Sequence, residues 1–331
     1  MTNLRGFTLK PVVIGLRSRI LLLLLFRWLL KPLIWLTAGT PSVLRMLKLQ
    51  VRLAWPLPPT CQGLPLDYRI VNGVPGPFAG DHRDTGKPVL LYLHGGGFIL
   101  PAAADAHLKF FTKLCRKLDA VGFLPDYRLA PLHKYPAALD DCERAYRGLL
   151  AMGFAAGRIA LAGESAGGNL VLGLLQRIRK HGLPMPSCAV PISAVTEMAR
   201  GYAPPSRRSN AGRDPMFPSG PLAHILSHYT GTADGSDPEL SPLYADYAGF
   251  PPLFFLVGET ELLLDDSLLA ARQAVEAGVK TRVDVWPYLP HAFPLFAGVF
   301  PEARQSHDDI ATFVREHIAD PLPLRPTLKA A

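Results

Sequence analysis

Apolar residues in this chain fall in short continuous runs that alternate with longer segments of helical spacing. Val89–Leu93 is wholly apolar, and Ile159–Ala162 and Leu253–Val257 have the same character. Runs of this length are typical of strands that are buried on both faces of a parallel sheet. Between them, Ala106–Leu118 and Pro136–Met152 have the periodicity of helices. The alternation therefore predicts an α/β fold with a mainly parallel central sheet flanked by helices.

The rest of the chain follows this rhythm except in one region. Further strands are predicted at Leu66–Val71, Ala120–Leu124, Cys188–Ile192 and Arg282–Trp286, and further helices at Ala166–His181, Asp265–Ala277 and Glu302–His317. The segment from about 196 to 250 is rich in Pro, Gly, Ser and Arg, has one predicted helix near Pro221–Tyr229, and is too long for a plain connection. We interpret it as a cap insertion in a catalytic domain that spans residues 61–320. Residues 321–331 are predicted to form a flexible tail.

The positive charge of the chain is concentrated at one end. The 331 residues carry a net charge of +8, yet residues 1–66 hold nine basic and no acidic residues, and the first acid is Asp67. The remaining residues carry 26 basic and 27 acidic side chains, which nearly cancel. This distribution argues against nucleic-acid binding by the globular body. It favours contact between the N-terminal segment and an anionic surface such as a membrane.

The N-terminal segment, residues 1–60, contains an apolar run that is interrupted by charge. Ile20–Phe26 is wholly apolar, but Arg27 and Lys31 break its continuation, so the run is too short and too charged for a transmembrane span. Four basic residues fall on one side at helical spacing, as in a helix that lies in a membrane interface: Lys10, Arg17, Arg27 and Lys31. We predict a cap or interfacial helix with peripheral membrane contact, in a cytoplasmic protein that associates with a membrane. A helix with no membrane role and an anchor or signal peptide are the alternatives.

The cysteines and glycines give no sign of a metal or a cofactor. The four cysteines are widely scattered, without a C-x-x-C pair or a zinc-like Cys/His spacing, and we expect them to be reduced thiols. The nucleotide-binding patterns G-x-G-x-x-G and G-K-[ST] are absent as well. The expectation is therefore that neither a metal ion nor an organic cofactor is needed.

The first candidate for chemistry is Ser165, in the pentapeptide Gly163-Glu164-Ser165-Ala166-Gly167. A predicted strand precedes the pentapeptide and a predicted helix follows it. Small residues flank the serine because such a strand-to-helix turn is strained and leaves little room for side chains. A serine at this turn exposes its hydroxyl above the sheet, where a histidine can deprotonate it. An ordinary Gly-rich turn is the alternative for the pentapeptide taken alone.

A second candidate is the glycine loop His94-Gly95-Gly96-Gly97-Phe98, which directly follows the predicted strand Val89–Leu93. Glycines allow backbone N–H groups to approach a developing negative charge that side chains would keep away. Together with the N–H of Ala166, the loop is predicted to form an oxyanion hole.

The base and its orienting acid are sought after the serine, in the order Ser, acid, His. His291 follows the last predicted strand and is the predicted base, whereas His307 and His317 are expected to be solvated residues of a terminal helix. Four acids follow the strand Leu253–Val257, and they are Glu259, Glu261, Asp265 and Asp266. We predict Glu261 as the orienting acid. Asp265 is the alternative, although Asp265 and Asp266 also suit the start of the next helix.

Several motifs together resemble the hormone-sensitive-lipase-like branch of the α/β-hydrolase superfamily, the bacterial family IV esterases. The matching motifs, from about Val89 to Val314, are His94-Gly95-Gly96-Gly97, Asp126-Tyr127-Arg128-Leu129-Ala130-Pro131, Tyr135-Pro136-Ala137-Ala138-Leu139-Asp140-Asp141, Gly163–Gly167 with Gly168, Arg213-Asp214-Pro215 and Ser241-Pro242-Leu243-Tyr244. The resemblance implies an α/β-hydrolase fold, a cap built from the N-terminal segment and the insertion, and carboxylic-ester substrates.

The same resemblance implies roles for individual residues. Ser165, Glu261 and His291 carry the triad, and Gly96, Gly97 and Ala166 supply the oxyanion donors, with Gly95 as a further candidate. Two residues depart from the family pattern. Glu261 stands where Asp is common, so its longer side chain must fold differently to reach the histidine, and Leu132 stands where Glu usually follows the "RLAP" run.

The predicted function is hydrolysis of small carboxylic esters, with short to medium acyl chains, through an acyl-enzyme. Lactone hydrolysis or deacetylation by the same triad is an alternative, and so is a lipid-acting enzyme held at a membrane. A catalytically silent ligand-binding protein is the alternative from another class, and such a protein is expected to lack a triad member.

Overall fold

One sheet forms the centre of the structure, a computed structural model that describes residues 7, 9–38, 57–199 and 202–318. The nine strands of these residues are β1 (Thr60–Cys61), β2 (Leu64–Val71), β3 (Val74–Ala79), β4 (Val89–Leu93), β5 (Val121–Phe123), β6 (Ile159–Glu164), β7 (Cys188–Ile192), β8 (Leu253–Gly258) and β9 (Thr281–Trp286). Their order across the sheet is β1-β2-β3-β5-β4-β6-β7-β8-β9. The pairs that include β1, β2 or β3 are antiparallel, and the other pairs are parallel. The predicted α/β fold with a mainly parallel sheet is confirmed.

Helices cover both faces of this sheet. The longer helices of the body are Lys109–Leu118, Ala137–Ala151, the elbow helix Ala166–Lys180, the cap helix Ser219–Thr230, Leu264–Glu276 and the C-terminal helix Ala303–His317. Alternate side chains of β4 enter different layers of the core, Leu91 on one face and Leu90 and Tyr92 on the other. A strand that is buried on both faces must be apolar throughout, which explains the continuous run at Val89–Leu93.

Strand β3 is an element that the sequence pattern did not predict. It contains Pro75 and Pro77, which have no N–H to donate and argue against a strand. The structure accommodates them because both prolines use their carbonyl groups, which accept backbone hydrogen bonds from the segment after β5. Pro75 O accepts from Asp126 N and Pro77 O accepts from Leu124 N.

The carboxyl ends of three parallel strands bring the candidate groups to one edge of the sheet. The glycine loop follows β4, Ser165 follows β6, and the acidic segment 259–266 follows β8. The segment 196–250 lies at the same edge and contains the short helix Ser206–Ser209 and the cap helix. Parallel α/β sheets place their functional sites at this edge.

The N-terminal segment forms a helix that packs on the body. Its successive stretches are Leu16–Leu21, Leu22–Leu30 with wider π-helical turns, and Lys31–Ala38. We call residues 16–38 the N-terminal helix. Phe26 is buried against Phe296 and Phe300, with ring centroids 5.2 and 5.3 Å away. No helix among the described residues is both long enough and apolar enough to cross a membrane.

The predicted alignment of four basic residues on one helix face is wrong for Lys10. This residue precedes the helix in an extended segment, and its Nζ lies 2.7 Å from Asp284 Oδ2 and 2.6 Å from Asp309 Oδ2. Its charge is thus used to fasten the segment to β9 and the C-terminal helix. The predicted tail, 321–331, and residues 39–56 of the N-terminal segment lie outside the described residues.

Candidate active site

Ser165 lies at a strained turn between β6 and the elbow helix. Its backbone has φ 56° and ψ −117°, a region that L-residues rarely adopt. The Ser165 N–H donates to Ile192 O at 2.8 Å, which ties the turn to the end of β7. A non-glycine residue persists in such a conformation only where its surroundings fix it.

The glycines on either side of Ser165 are required by close backbone packing. A Cβ on Gly167 would lie 1.9 Å from Leu93 O, and a Cβ on Gly163 would lie 2.6 Å from Gly167 O. The turn at residues 163–167, which we call the elbow, therefore packs tightly against the end of β4. This contact brings the turn of Ser165 directly beside the glycine loop that begins at His94.

His291 and Glu261 form a buried pair. His291 Nδ1 lies 2.8 Å from Glu261 Oε2, and both side chains are shielded from solvent. A carboxylate at Nδ1 fixes the ring so that Nδ1 carries the proton and Nε2 keeps its lone pair. His291 Nε2 is buried and has no hydrogen-bond partner within the described residues. The pair thus presents an unused basic nitrogen.

The longer side chain of Glu261 reaches the histidine by folding back over Gly258. Gly258 N donates to Glu261 Oε1 at 2.5 Å, and a Cβ on Gly258 would lie 3.0 Å from the same oxygen. Ser193 Oγ donates to Glu261 Oε1 at 2.8 Å and accepts from Ala292 N at 3.2 Å. Ser193 therefore links Glu261 to the backbone next to His291, a role that no sequence motif indicated.

The other three acids of the cluster have different partners. Glu259 pairs with Arg213 at 3.0 Å. Asp265 Oδ2 accepts from Ser206 N at 2.8 Å at the start of the helix Leu264–Glu276. Asp266 pairs with Arg207 at 2.6 Å. Of the four, the structure brings Glu261 to His291 and uses the others to hold the cap against the body.

Cap residues also hold the segment that carries Glu261. Asn210 Nδ2 donates to Glu259 O at 3.0 Å and to Glu261 O at 2.9 Å. Asp214 accepts from Leu262 N at 2.8 Å, and the ring of Phe217 packs edge-on against His291 with centroids 4.7 Å apart. The motif Arg213-Asp214-Pro215 was the available signal for this support, although its role could not be read from the sequence.

The glycine loop offers two free N–H groups rather than three. Gly95 N donates to Glu164 Oε1. No hydrogen bond among the described residues takes the N–H of Gly96, Gly97 or Ala166. Gly96 has φ 108° and Gly97 has φ 64°, so both positions favour glycine. Gly95 is therefore removed from the donors that we predicted, because its N–H is already used.

Glu164 holds the start of the glycine loop in place through a hydrogen bond from Gly95 N. Its buried carboxylate accepts from Gly95 N and from the hydroxyl of Tyr92, and lies 2.8 Å from His107 Nε2. Burial raises the pKa of Glu164, but the interactions with His107, Tyr92 and Gly95 outweigh burial and leave the pKa below its usual value. A charged carboxylate thus fixes the first glycine of the loop, a function that the sequence pattern did not reveal.

His94 supports the loop as a neutral side chain. Burial, with a smaller contribution from His107, lowers the pKa of His94 to about 4. Its Nδ1 lies 2.7 Å from Gly95 O, and its ring stacks on Tyr127 with centroids 4.2 Å apart. Tyr127 Oη donates to His94 O at 2.6 Å. The Tyr127 of the "DYRLAP" motif therefore buttresses the glycine loop.

The prediction that His307 is solvated is wrong. His307 is buried, and its Nε2 donates to Pro294 O at 2.8 Å. Burial, with nearby Lys113 and Lys117, lowers its pKa to about 4, although the hydrogen bond to Pro294 acts in the opposite direction. His317 is half-buried, with Nδ1 2.7 Å from Phe313 O. Neither His307 nor His317 is a hydrogen-bond partner of Glu261 or His291.

Within the described residues, no group of three or more His, Cys, Asp or Glu side chains is arranged to hold a metal ion. The described cysteines are free thiols, and burial raises the pKa of Cys115 and Cys188 above its usual value.

The sheet, the strained serine turn and the Glu–His pair define an α/β-hydrolase. A family model for the alpha/beta hydrolase fold matches residues 90–295, more than half of the chain.

Similar proteins carry esterase names. A carboxylesterase/phospholipase, LipF, of Mycobacterium tuberculosis (strain ATCC 25618 / H37Rv) is 36% identical over 243 residues, which are 72% of this chain and 64% of LipF. The chain thus matches less than two thirds of the length of LipF. An acetyl-hydrolase of Streptomyces hygroscopicus is 34% identical over 233 residues, which are 70% of this chain and 77% of that protein.

Solved structures extend the similarity to most of the chain. An esterase from the bacterial hormone-sensitive lipase family is 33% identical, with a TM-score of 0.73 over 85% of this chain and 99% of its own. The esterase EstE5, in a crystal soaked with p-nitrophenyl butyrate, is 33% identical, with a TM-score of 0.79 over 92% of this chain and 99% of its own. The chain belongs to the hormone-sensitive-lipase-like family of the α/β-hydrolase superfamily, as its motifs indicated.

Proposed function

We propose that the protein is a serine hydrolase that cleaves small carboxylic esters through an acyl-enzyme. The observation that carries the proposal is the buried contact of 2.8 Å between Glu261 and His291, which leaves Nε2 of His291 without a partner among the described residues. Because Glu261 holds the proton on Nδ1, Nε2 is the atom that can accept a proton from a hydroxyl group.

Ser165 is the proposed nucleophile. Its Oγ attacks the ester carbonyl while His291 Nε2 takes its proton, and the resulting imidazolium is stabilised by Glu261. The imidazolium then donates its proton to the leaving alkoxide. In the second half of the reaction, His291 deprotonates water, which attacks the acyl-enzyme. The imidazolium then returns this proton to Ser165 Oγ as the ester bond to the serine breaks and the acid is released.

The proposed oxyanion donors are the N–H groups of Gly96, Gly97 and Ala166. These groups have no competing acceptor within the described residues. They are backbone groups held by the elbow contact and by the network of Glu164, so they need little rearrangement when charge develops. Loss of one such donor typically costs about 3 kcal/mol in the transition state.

Short to medium acyl chains are the proposed substrates. Support comes from the names of the relatives, which include a carboxylesterase and an acetyl-hydrolase, and from the p-nitrophenyl butyrate used with EstE5. Acetate and butyrate esters of p-nitrophenol are therefore suitable first probes. We also propose that the protein is cytoplasmic and that its N-terminal segment contacts a membrane. The membrane contact depends on a surface of the N-terminal helix and not on the active site.

Ser165→Ala tests the nucleophile. We expect kcat for p-nitrophenyl butyrate to fall by about 10⁵-fold or more, because removal of a triad serine leaves only the oxyanion hole and binding. Ser209→Ala, at an exposed serine of the cap, is the matched control and is expected to keep full activity. A folded Ser165→Ala protein that retains a substantial part of the wild-type activity would disprove the assignment.

A further inference from the structure

The outer face of the N-terminal helix is an exposed apolar surface. Of the 19 large hydrophobic residues that are exposed in the described chain, 11 lie between residues 9 and 36. The members on the helix itself are Leu16, Ile20, Leu23, Leu24, Trp28, Leu29, Leu33, Trp35 and Leu36. We call these nine residues the apolar face. Exposed hydrophobic residues elsewhere are scattered, which is normal, whereas a contiguous set of this kind marks an interaction site.

The helix is fixed with this face outward. Its opposite side is buried at Leu22 and Phe26, and the Phe26 ring packs against Phe296 and Phe300. Ser18 Oγ donates to Glu302 Oε2 at 2.7 Å. The helix therefore already packs on the body through one side, and the apolar face is its solvent-exposed side.

Basic side chains accompany the apolar face. Arg17, Arg19 and Arg27 are exposed on the same helix, and no acidic residue occurs in residues 1–66. A second copy of this chain would bring like charges together, so self-association through this face is disfavoured. A nucleic acid would be attracted by the positive charge, but its phosphate backbone would not bury the exposed leucine side chains. An anionic lipid surface matches both properties.

A cleft on the edge of this face has the same composition. It has a volume of about 540 Å³ and lies between the N-terminal helix and the cap, with Arg27, Trp28, Lys31 and Trp35 among its lining residues. Tryptophan and basic side chains are the residues that proteins place at the level of lipid headgroups.

We propose that the apolar face docks on the surface of an anionic phospholipid bilayer. The helix lies in the plane of the membrane, its leucines and tryptophans enter the headgroup–acyl boundary, and Arg17, Arg19 and Arg27 contact lipid phosphates. The docking is peripheral, in agreement with the lack of a spanning helix among the described residues. The proposal does not depend on the ester chemistry.

The N-terminal helix is linked through the cap to the segment that carries the proposed catalytic acid. Lys31 Nζ donates to Asp214 O at 2.7 Å and to Ala211 O at 3.1 Å. The carboxylate of Asp214 in turn accepts from Leu262 N, the residue after Glu261. The bilayer would therefore lie next to the cap and on the side of the active site.

Vesicle co-sedimentation of the full-length chain tests the proposal. The probes are vesicles of phosphatidylcholine alone and of an equal mixture of phosphatidylcholine and phosphatidylglycerol. We expect binding to the mixed vesicles that weakens as salt is raised, because screening acts on the arginine contacts. Leu24→Ser/Trp28→Ser should reduce binding by about a hundredfold, since each of the two lost side chains contributes a factor of about ten.

Matched variants distinguish binding through this face from nonspecific hydrophobic or electrostatic binding to vesicles. Ile70→Ser/Leu132→Ser removes two hydrophobic residues of the body that are 74% and 85% exposed, and is expected to bind as wild type. Arg17→Gln/Arg27→Gln should weaken binding and its salt dependence, whereas Arg208→Gln on the cap should not. Ser165→Ala should bind as wild type, which separates this proposal from the proposed activity. Melting temperatures verify that each variant is folded.

Three results would overturn the proposal. One is equal vesicle binding by Leu24→Ser/Trp28→Ser and wild type. The second is equal binding to neutral and anionic vesicles with no effect of salt. The third is a dimer, seen by light scattering and abolished by Leu24→Ser/Trp28→Ser, together with no vesicle binding, which would make the face a contact between copies.

Discussion

At the scale of single residues, the acidic segment after β8 shows how neighbouring carboxylates acquire different tasks. Glu261 reaches His291, whereas Asp265 lies at the start of a helix and accepts from Ser206 N. The sequence predicted Glu261 with Asp265 as the alternative, but it did not show how the longer side chain reaches the histidine, because that depends on its folding back over Gly258. The sequence placed Ser165 and His291 just after predicted strands, and the structure has them after β6 and β9.

Replacement of each acid should separate the two tasks. Glu261→Gln is expected to lower kcat by about 10³–10⁴, because a glutamine no longer stabilises the imidazolium of His291. Asp265→Asn should leave kcat within about threefold and instead reduce the free energy of unfolding by about 1 kcal/mol through loss of its role at the helix start. Steady-state kinetics and urea unfolding provide both readouts. A severe loss of kcat in Asp265→Asn with little loss in Glu261→Gln would reverse the assignment.

Glu164 is a positioning residue whose effect should appear in kcat. Glu164→Gln replaces one acceptor oxygen by an amide NH₂, so Tyr92, Gly95 and His107 can no longer all donate to it. We expect kcat for p-nitrophenyl butyrate to fall about tenfold with little change in KM, since the glycine loop acts mainly in the transition state.

A matched carboxylate controls for general destabilisation in that experiment. Glu143 lies on the helix Ala137–Ala151, away from the glycine loop, and pairs with Arg147 and His181. Glu143→Gln should therefore affect unfolding but leave kcat unchanged. An unchanged kcat in Glu164→Gln would mean that the loop holds its geometry without this carboxylate.

At the scale of elements, the sequence predicted most strands and helices because hydrophobic period and length report directly on burial. It failed at β3, where Pro75 and Pro77 are compatible with a strand only because their carbonyl groups make the bonds to the neighbouring chain. It also failed at His307, since polar neighbours in the helix did not reveal that this one position faces the loop of Pro294. Both errors concern contacts between distant parts of the chain, which local patterns do not contain.

The buried His307 of the C-terminal helix should make stability depend on pH. Its pKa is lowered to about 4 in the folded state, so the unfolded chain binds the proton more readily. Its contribution is complete above the ordinary histidine pKa of about 6.5 and is lost as pH falls towards 4. His307→Gln should remove up to about 3 kcal/mol of this pH dependence, because glutamine can still donate to Pro294 O without gaining charge.

Urea unfolding at several pH values between 7 and 4.5 measures this effect. His133→Gln, at an exposed histidine, is the control and is expected to follow the wild-type curve. An identical pH dependence in His307→Gln and wild type would show that His307 does not titrate over this range.

At the scale of the whole molecule, charge and hydrophobicity are divided between two regions. The body is nearly neutral, whereas the first 66 residues carry nine basic side chains and no acidic one. The sequence revealed this division, but only the structure shows which side of the N-terminal helix is covered. Phe26 and Leu22 face the body, and the apolar face is left exposed. Docking at a bilayer is the proposal that accounts for both properties together.

The tight contact between the elbow and β4 limits how this protein can diversify. Because a Cβ on Gly167 would collide with Leu93 O, even alanine there would displace the strand end that leads into the glycine loop. Gly212 and Gly220 of the cap have open space around them, where a side chain would meet no neighbour. Substitutions are therefore tolerated at such positions of the cap, whereas the elbow glycines cannot be replaced without a shift of the backbone. A mutational library aimed at new substrates has its tolerant positions in the cap and its forbidden ones at the elbow.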